Sequence, residues 1–266
     1  RIDATIGNPT YLAAYILFML GIALFFLVRS RHAILRWIYG ALSIYFLVVL
    51  YFTASRGPLL AVLISAFLFP ITYLIWGRKG DAQARMHTKI AIAVLAISVI
   101  VPMGFLAIKN TEFVSRSPVL SRFANLSANE KTTRSRFLVW QMSWEGVKER
   151  PILGWGQENY FDVFAKHYIP RMYDQEPFFD RAHNIVFDWL VNAGFLGLIA
   201  YLALFVSAYM AIARAFKEKK LSFMESSIIG FLLLAYFIQN LFVFDSINTY
   251  VLFFTFLAYL HAHAEF

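Results

Sequence analysis

His183 and Asn184 are followed by nine residues and then by Gly194-Phe195-Leu196-Gly197. An imidazole is the side chain best suited to taking and giving a proton near neutral pH. The pair stands where a long polar segment, roughly Asn110 to Arg181, meets a long apolar one. That junction reads as a membrane–water boundary, where a titratable group reaches a lipid-borne molecule and still exchanges protons with water. The plainer reading is a polar cap or an interfacial residue at a helix start, and the pair taken alone fits it better. Asp188, five residues after His183, enters the apolar stretch. It is placed to orient His183 or to pair with an arginine, although a carboxylate at a helix start has an ordinary cause in the helix dipole.

Arginines supply the complementary chemistry. Arg56 stands in Ala54-Ser55-Arg56-Gly57-Pro58, between two apolar runs. Such a tight turn holds its guanidinium at the membrane surface, where a planar fork grips phosphate better than a lysine does. The plainer reading is a snorkelling arginine on lipid head groups. Arg134 and Arg136 open a second pattern, with Trp140 four residues beyond Arg136 and hence on the same helical face. A cation beside an aromatic suits a pyrophosphate or a sugar, and equally a local cation–π contact on a solvated face. Arg116, Arg122, Arg150, Arg171 and Arg181 bring the arginines between Lys109 and His183 to seven, which points to an anionic ligand.

These residues need a membrane scaffold to position them. Hydrophobic residues are 60% of the chain and charged residues 15%, far from the roughly 25% charged content of soluble domains. Seven apolar segments are candidates to cross about 30 Å of hydrocarbon, which takes roughly 20 residues: Tyr11–Val28, Ala33–Thr53, Leu59–Trp76, Ile90–Ile108, Ile185–Ile212, Phe223–Phe244 and the short Tyr250–Leu260. Ile185–Ile212 exceeds a simple crossing, so its first two turns are expected at the interface or in the protein interior, with the crossing proper starting at Gly194. The fold class is therefore all-α, a polytopic membrane helix bundle with a long, partly helical loop between the fourth and fifth spans. The net charge of +8 comes from clusters between apolar runs, with no basic stripe or module that would imply nucleic acid. Arg29, Arg31 and Arg36, then Arg78, Lys79, Arg85 and Lys89, then Arg214, Lys217, Lys219 and Lys220 occupy three short connections. The positive-inside rule makes their face cytoplasmic and the Lys109–His183 loop external. Cysteine is absent, so disulfides and thiolate metal sites are excluded. The chain opens on Arg1 without a signal-peptide pattern and is expected to be the C-terminal part of a longer protein with further spans before it.

The loop is too rich in aromatic residues for a linker. Phe137, Val139, Trp140, Trp144 and Val147 recur at helical spacing and predict a helix over Thr133–Arg150. Pro151 ends it, Gly154-Trp155-Gly156 forms a turn, and a short helix follows over Glu158–His167. His167 and Tyr168 read as surface packing, and His32, His87, His261 and His263 as interfacial. No set of residues has metal-ligand spacing. The ionisable residues inside spans, Arg36, Asp188 and Glu225, lie near their ends, and Gln239 and Asn240 are neutral. Ion-coupled transporters place charge deeper.

The spacing from His183-Asn184 to Gly194 and Gly197 resembles the signature of the bacterial O-antigen ligase family, which also contains O-antigen polymerases and protein O-oligosaccharyltransferases. Arg136-Phe-Leu-Val-Trp140 with Arg150-Pro151-Ile-Leu-Gly154-Trp-Gly156 is similar to that family's loop helix and Pro–Gly–Gly turn. Ser55-Arg56-Gly57 is similar to its short arginine turn, and Ile6-Gly7-Asn8-Pro9 to a segment ahead of it. The resemblance implies one transmembrane domain over residues 1–266 in the bacterial inner membrane, with residues 109–183 periplasmic and the active site facing the periplasm. It implies a metal-independent glycosyltransferase without cofactor that moves an undecaprenyl-pyrophosphate-linked glycan to a hydroxyl of a glycan, lipid A-core or protein acceptor. Carried over to this sequence, His183 is the general base or acceptor-orienting residue. Arg56 and Arg136 hold the pyrophosphate, with Arg134, Arg116 and Arg122 as competitors to Arg136. Asn184, Asp188, Trp140, Gly194 and Gly197 support them. From other classes, a transporter or flippase for the same lipids, or a non-catalytic scaffold of envelope assembly, would also use surface arginines.

Overall fold

Apolar runs of 18 residues or more form helices here because a helix satisfies its own backbone hydrogen bonds where no water can. The computed structural model describes residues 2–77, 82–124, 131–174 and 178–265. Arg1, Arg78 and Lys79 lie outside the described residues, as does the side chain of His263. Among the described residues there are helices and no strands. The helices are α1 (Pro9–Arg29), α2 (Ala33–Thr53), α3 (Arg56–Trp76), α4 (Ala82–Ile108), α5 (Glu112–Arg116), α6 (Leu120–Ala124), α7 (Lys131–Glu149), α8 (Tyr160–Lys166), α9 (Ile185–Lys217), α10 (Phe223–Asn240) and α11 (Ile247–Glu265). Six of them, α1 to α4, α9 and α10, are long and apolar enough to cross a membrane, and Ile247–Ala262 of α11 is a shorter apolar stretch. The protein is the polytopic all-α membrane bundle that its composition requires.

Several boundaries differ from the sequence expectation, α4 starting at Ala82 rather than Ile90, α9 running to Lys217 rather than Ile212 and α11 covering Ile247–Glu265 rather than Tyr250–Leu260. Two further differences have identifiable reasons. α3 begins at Arg56 rather than Leu59, with Pro58 in its first turn, where a missing N–H removes no intrahelical bond. The α2–α3 connection is thus only Ala54 and Ser55, with Ala54 in the left-handed region at φ 49°. α10 ends at Asn240 rather than Phe244. Asn240 donates from Nδ2 to Asp245 Oδ1 at 2.6 Å, so a side-chain bond bridges the segment in which Phe244 lies.

The described residues divide into two compact units, one built from residues 1–124, 210–239 and 248–266 and the other from residues 125–209 and 240–247. In the first, α1 is the most enclosed helix, more than half buried along its apolar window, while α2, α3 and α4 are less than one fifth buried. Phe18 meets Tyr236 of α10 at 5.0 Å, Tyr236 meets Phe253 of α11 at 5.1 Å, and Phe25 meets Tyr259 at 6.0 Å. Gly21 leaves room for Leu232, whose methyl carbon would lie 2.6 Å from an added Cβ. Trp37, Ile44, Ile97 and Ile100 stay exposed. Apolar surface on that scale is untenable in water and natural in hydrocarbon. Asn8 caps α1 by accepting from Thr10 N–H at 2.8 Å, with Pro9 at the first helical position.

The second unit carries the folded polar segment. Val139 and Met142 of α7, Tyr160 and Val163 of α8, and Leu190 and Val191 of α9 share one core. α9 is interrupted at Gly194, whose φ of 64° and ψ of −165° are not helical. In an unbroken helix the N–H groups of Phe195 and Leu196 would donate to the carbonyls of Val191 and Asn192. Here Phe195 and Leu196 donate to the carbonyls of Pro151 and Ile152, at 2.8 and 3.4 Å. The freed carbonyls of Val191 and Asn192 accept from Trp155 and Gly156, at 2.7 and 2.9 Å. The Pro151–Gly156 turn is therefore spliced into the helix ladder, and both donors and both acceptors opened by the break are satisfied.

Candidate active site around His183

His183 occupies the left-handed backbone region at φ 50°, a conformation that costs a non-glycine residue about 1–2 kcal/mol. Such a residue persists only when its surroundings over-determine it, and here both flanks are fixed. On one side Trp140 donates its indole N–H to the carbonyl of Ala182 at 3.0 Å. On the other, Asn184 Oδ1 caps α9 by accepting from Val186 and Phe187, at 2.9 and 3.4 Å. One residue further back, Arg181 pairs with Asp188 Oδ2 at 3.4 Å and with Glu158. The guanidinium also lies over the Phe244 ring, 5.6 Å from its centre.

The imidazole is half-buried between two rings, 5.5 Å from Phe179 and 5.3 Å from Phe244. Burial among these rings lowers its pKa below the ordinary histidine value, the positive charge of Arg136 lowers it further, and Asp180 works against both. Desolvation and a nearby cation each disfavour the imidazolium. His183 is consequently a neutral ring at pH 7, with a lone pair available to accept a proton. Deeper in the unit, Tyr160 is fully buried and bonded to Ser143 Oγ at 2.8 Å. Burial holds its phenol well above the ordinary tyrosine pKa, so this pair is a neutral strut between α7 and α8.

Several expected neighbours are gathered and others are not. Arg136 is half-buried and acts electrostatically on His183, whereas Arg134 is exposed. Trp140 contributes through its indole N–H and by stacking on Phe187 at 5.9 Å. Asp188, which could have oriented His183 or paired with an arginine, pairs with Arg181. Arg56 belongs to the other unit, half-buried at the first turn of α3. A Cβ on Gly194 would lie 2.2 Å from the Ile152 carbonyl oxygen, so its close partner is the spliced turn. One on Gly197 would meet Ala193 Cβ and the Trp189 ring, at 2.2 and 3.3 Å, within α9 itself. Phe179, Arg181 and Phe244 complete the surroundings of His183 without having been singled out. Only the conjunction of Arg181 with Asp188 and Glu158 could have marked one of them. Among the described residues, no group of three or more His, Cys, Asp or Glu side chains is arranged to hold a metal ion.

Trp140→Phe keeps the ring packing and deletes the indole N–H. It should leave the buried Ala182 carbonyl without that donor, lowering stability by about 1–2 kcal/mol, read as an earlier thermal unfolding transition in detergent.

No match to a curated protein was found. A sequence model described as O-antigen ligase matches residues 41–202, which take in Arg56, Arg136, His183, the spliced turn and the helix break. That stretch is more than half of the 266 residues, and the chain accordingly belongs to the O-antigen ligase family of membrane glycosyltransferases.

Proposed function

We propose that the protein transfers a glycan from undecaprenyl pyrophosphate to an acceptor hydroxyl at the periplasmic face of the bacterial inner membrane, with His183 as general base. The observation that carries this reading is the neutral, half-buried imidazole held on a strained backbone beside the charge of Arg136. A sugar hydroxyl is a weak nucleophile. As its oxygen attacks the anomeric carbon, its proton passes to the free ring nitrogen of His183. The bond from the anomeric carbon to the phosphate oxygen breaks, and undecaprenyl pyrophosphate departs with the electron pair. Arg136 stabilises the negative charge that builds on that leaving group, work that fixed guanidinium donors do well. Arg56 is the second pyrophosphate ligand by its likeness to the family's arginine turn. Arg134 is an outer contact for the same anion, and membrane lipids carry both donor and enzyme. The acceptor is a saccharide, a lipid A-core or a protein hydroxyl.

The charge balance of the site sets a pH dependence. In the free enzyme burial and, after it, Arg136 hold the His183 pKa down, so the acid limb of kcat/KM should fall below pH 6.5, the ordinary histidine value. Bound pyrophosphate offsets the Arg136 charge, so the limb of kcat, which reports the substrate complex, should lie higher than that of kcat/KM. Arg136→Gln removes one of the two depressing causes and should move the kcat/KM limb upward. The test is the protein in vesicles with undecaprenyl-pyrophosphate-linked glycan and acceptor, measuring the new glycosidic bond and the released undecaprenyl pyrophosphate at each pH. Movement of intact donor across the bilayer without release of undecaprenyl pyrophosphate would replace this reading with transport.

A further inference from the structure

α9 beyond its break is about as long as the hydrocarbon is thick. Phe195 to Ala213, ahead of the first cation Arg214, is 19 residues and about 28 Å at 1.5 Å per residue. Phe195 therefore lies at the edge of the acyl region, and Phe195, Leu196 and Ile199 are exposed there. The Pro151 and Ile152 carbonyls bond directly to the N–H groups of Phe195 and Leu196, which brings the turn to the same depth. At that depth Ile152 and Leu153 are 63% and 73% exposed. Among the described residues between 131 and 184, they are the large aliphatic side chains that are exposed, the other large exposed apolar ones being aromatic.

The residues on either side of this tip have an interfacial character. Arg150 lies over the Trp155 ring at 4.2 Å, and Lys166 lies over the same ring at 5.3 Å. Tryptophan settles at head-group level, and arginine and lysine snorkel to it. The order Arg150-Pro151-Ile152-Leu153-Gly154-Trp155 thus runs from polar to aliphatic and back. Its backbone groups are satisfied by the helix break, which is the condition for irregular backbone at membrane depth.

We propose that the Pro151–Gly156 turn is a membrane-immersed re-entrant element whose Ile152 and Leu153 side chains insert among lipid acyl chains, continuous with the lipid-facing side of α9. The occupant of this surface is the bilayer, because the turn is bonded in register to a helix already required to cross it. The consequence is positional. Ile185–Ala193, the part of α9 before the break, is at most about 14 Å long, so the anchored turn fixes how far His183 stands from the acyl boundary. The inference depends on the membrane fold and not on the proposed transfer reaction.

The chain has no cysteine of its own, so single labels can be placed directly. Leu153→Cys and, as a lipid reference, Leu196→Cys are labelled with bimane in vesicles of phosphatidylethanolamine and phosphatidylglycerol. Both substitutions remove exposed side chains and leave the backbone bonds in place. Quenching by lipids bearing a nitroxide high on the acyl chain is compared with quenching by aqueous iodide. Lipid quenching at Leu153 is expected to match that at Leu196, with little effect of iodide. Lipid quenching below half of the Leu196 value, with iodide quenching in its place, overturns the proposal. Ile152→Cys repeats the measurement at the neighbouring residue, so failure of one variant to fold does not remove the test.

Discussion

His183→Ala is expected to lower glycan transfer by about 10²–10⁴-fold, the range that a positioned general base contributes. Affinity for the lipid-linked donor should stay near wild type, because Arg136 remains to hold the pyrophosphate. Measuring donor binding alongside transfer separates loss of chemistry from loss of fold. This matters because the ring fills the space between Phe179 and Phe244. A second substitution sharpens the point. His183→Gly relieves the left-handed backbone at φ 50° and should unfold later than His183→Ala, by about 1 kcal/mol of stability, while transferring no better. Wild-type transfer by either variant would end the catalytic assignment. Stability linked to this residue has a definite sign as well. The folded-state pKa lies below the unfolded one, so the unfolded chain binds more protons between the two values. The contribution of His183 is full above the ordinary histidine pKa, and it is lost as pH falls through the window down to the folded value.

The legible parts of this protein are those governed by one-dimensional pattern. Apolar runs gave the crossing helices, and the spacing of Phe137, Trp140, Trp144 and Val147 gave α7 to within two residues at its start and one at its end. The excess length of the Ile185–Ile212 stretch located the interruption at Gly194, which is where helical geometry fails. Hidden were contacts that depend on distant segments meeting. Phe244 reads as the end of an apolar run until Asn240 turns back to Asp245, and nothing in its spacing from His183 marks the two rings as neighbours. Arg181 was one arginine among seven, distinguished only by the meeting of Glu158 and Asp188 around it. The turn after Pro151 was recognisable from Gly154 and Gly156, but its partner was not. The swap of hydrogen bonds with α9 pairs residues about 40 positions apart, and backbone pairing of that kind carries no side-chain signature. Glycine is the exception, since close backbone approach leaves no room for a Cβ.

Gly194→Ala should be the most damaging single-methyl substitution in this unit. Its φ of 64° with ψ of −165° lies in a region that only glycine occupies without strain. The added Cβ would also fall 2.2 Å from the Ile152 carbonyl oxygen and 2.4 Å from its carbon. Those atoms are backbone and cannot swing aside, so the turn must leave the break. Phe195 and Leu196 then lose their acceptors at the edge of the acyl region, and Val191 and Asn192 lose their donors. Strain and orphaned groups together amount to about 3–6 kcal/mol, a large share of a typical protein's stability. Gly154→Ala attacks the same junction from the other side, since its Cβ would lie 2.5 Å from the Val191 carbonyl oxygen and 2.7 Å from the Ala193 nitrogen. Once either variant has expelled the turn, the second has little left to break. The double variant should therefore be less destabilised than the sum of the two, by about 1–3 kcal/mol. Gly104→Ala, in α4 with nothing within 4 Å of the new Cβ, supplies the contrast and should leave stability unchanged or raise it slightly. Thermal unfolding of the four proteins in detergent, followed by circular dichroism, reads these differences. Simple additivity of Gly154→Ala and Gly194→Ala would show that the two glycines serve separate structures, and that the turn is not spliced into the helix.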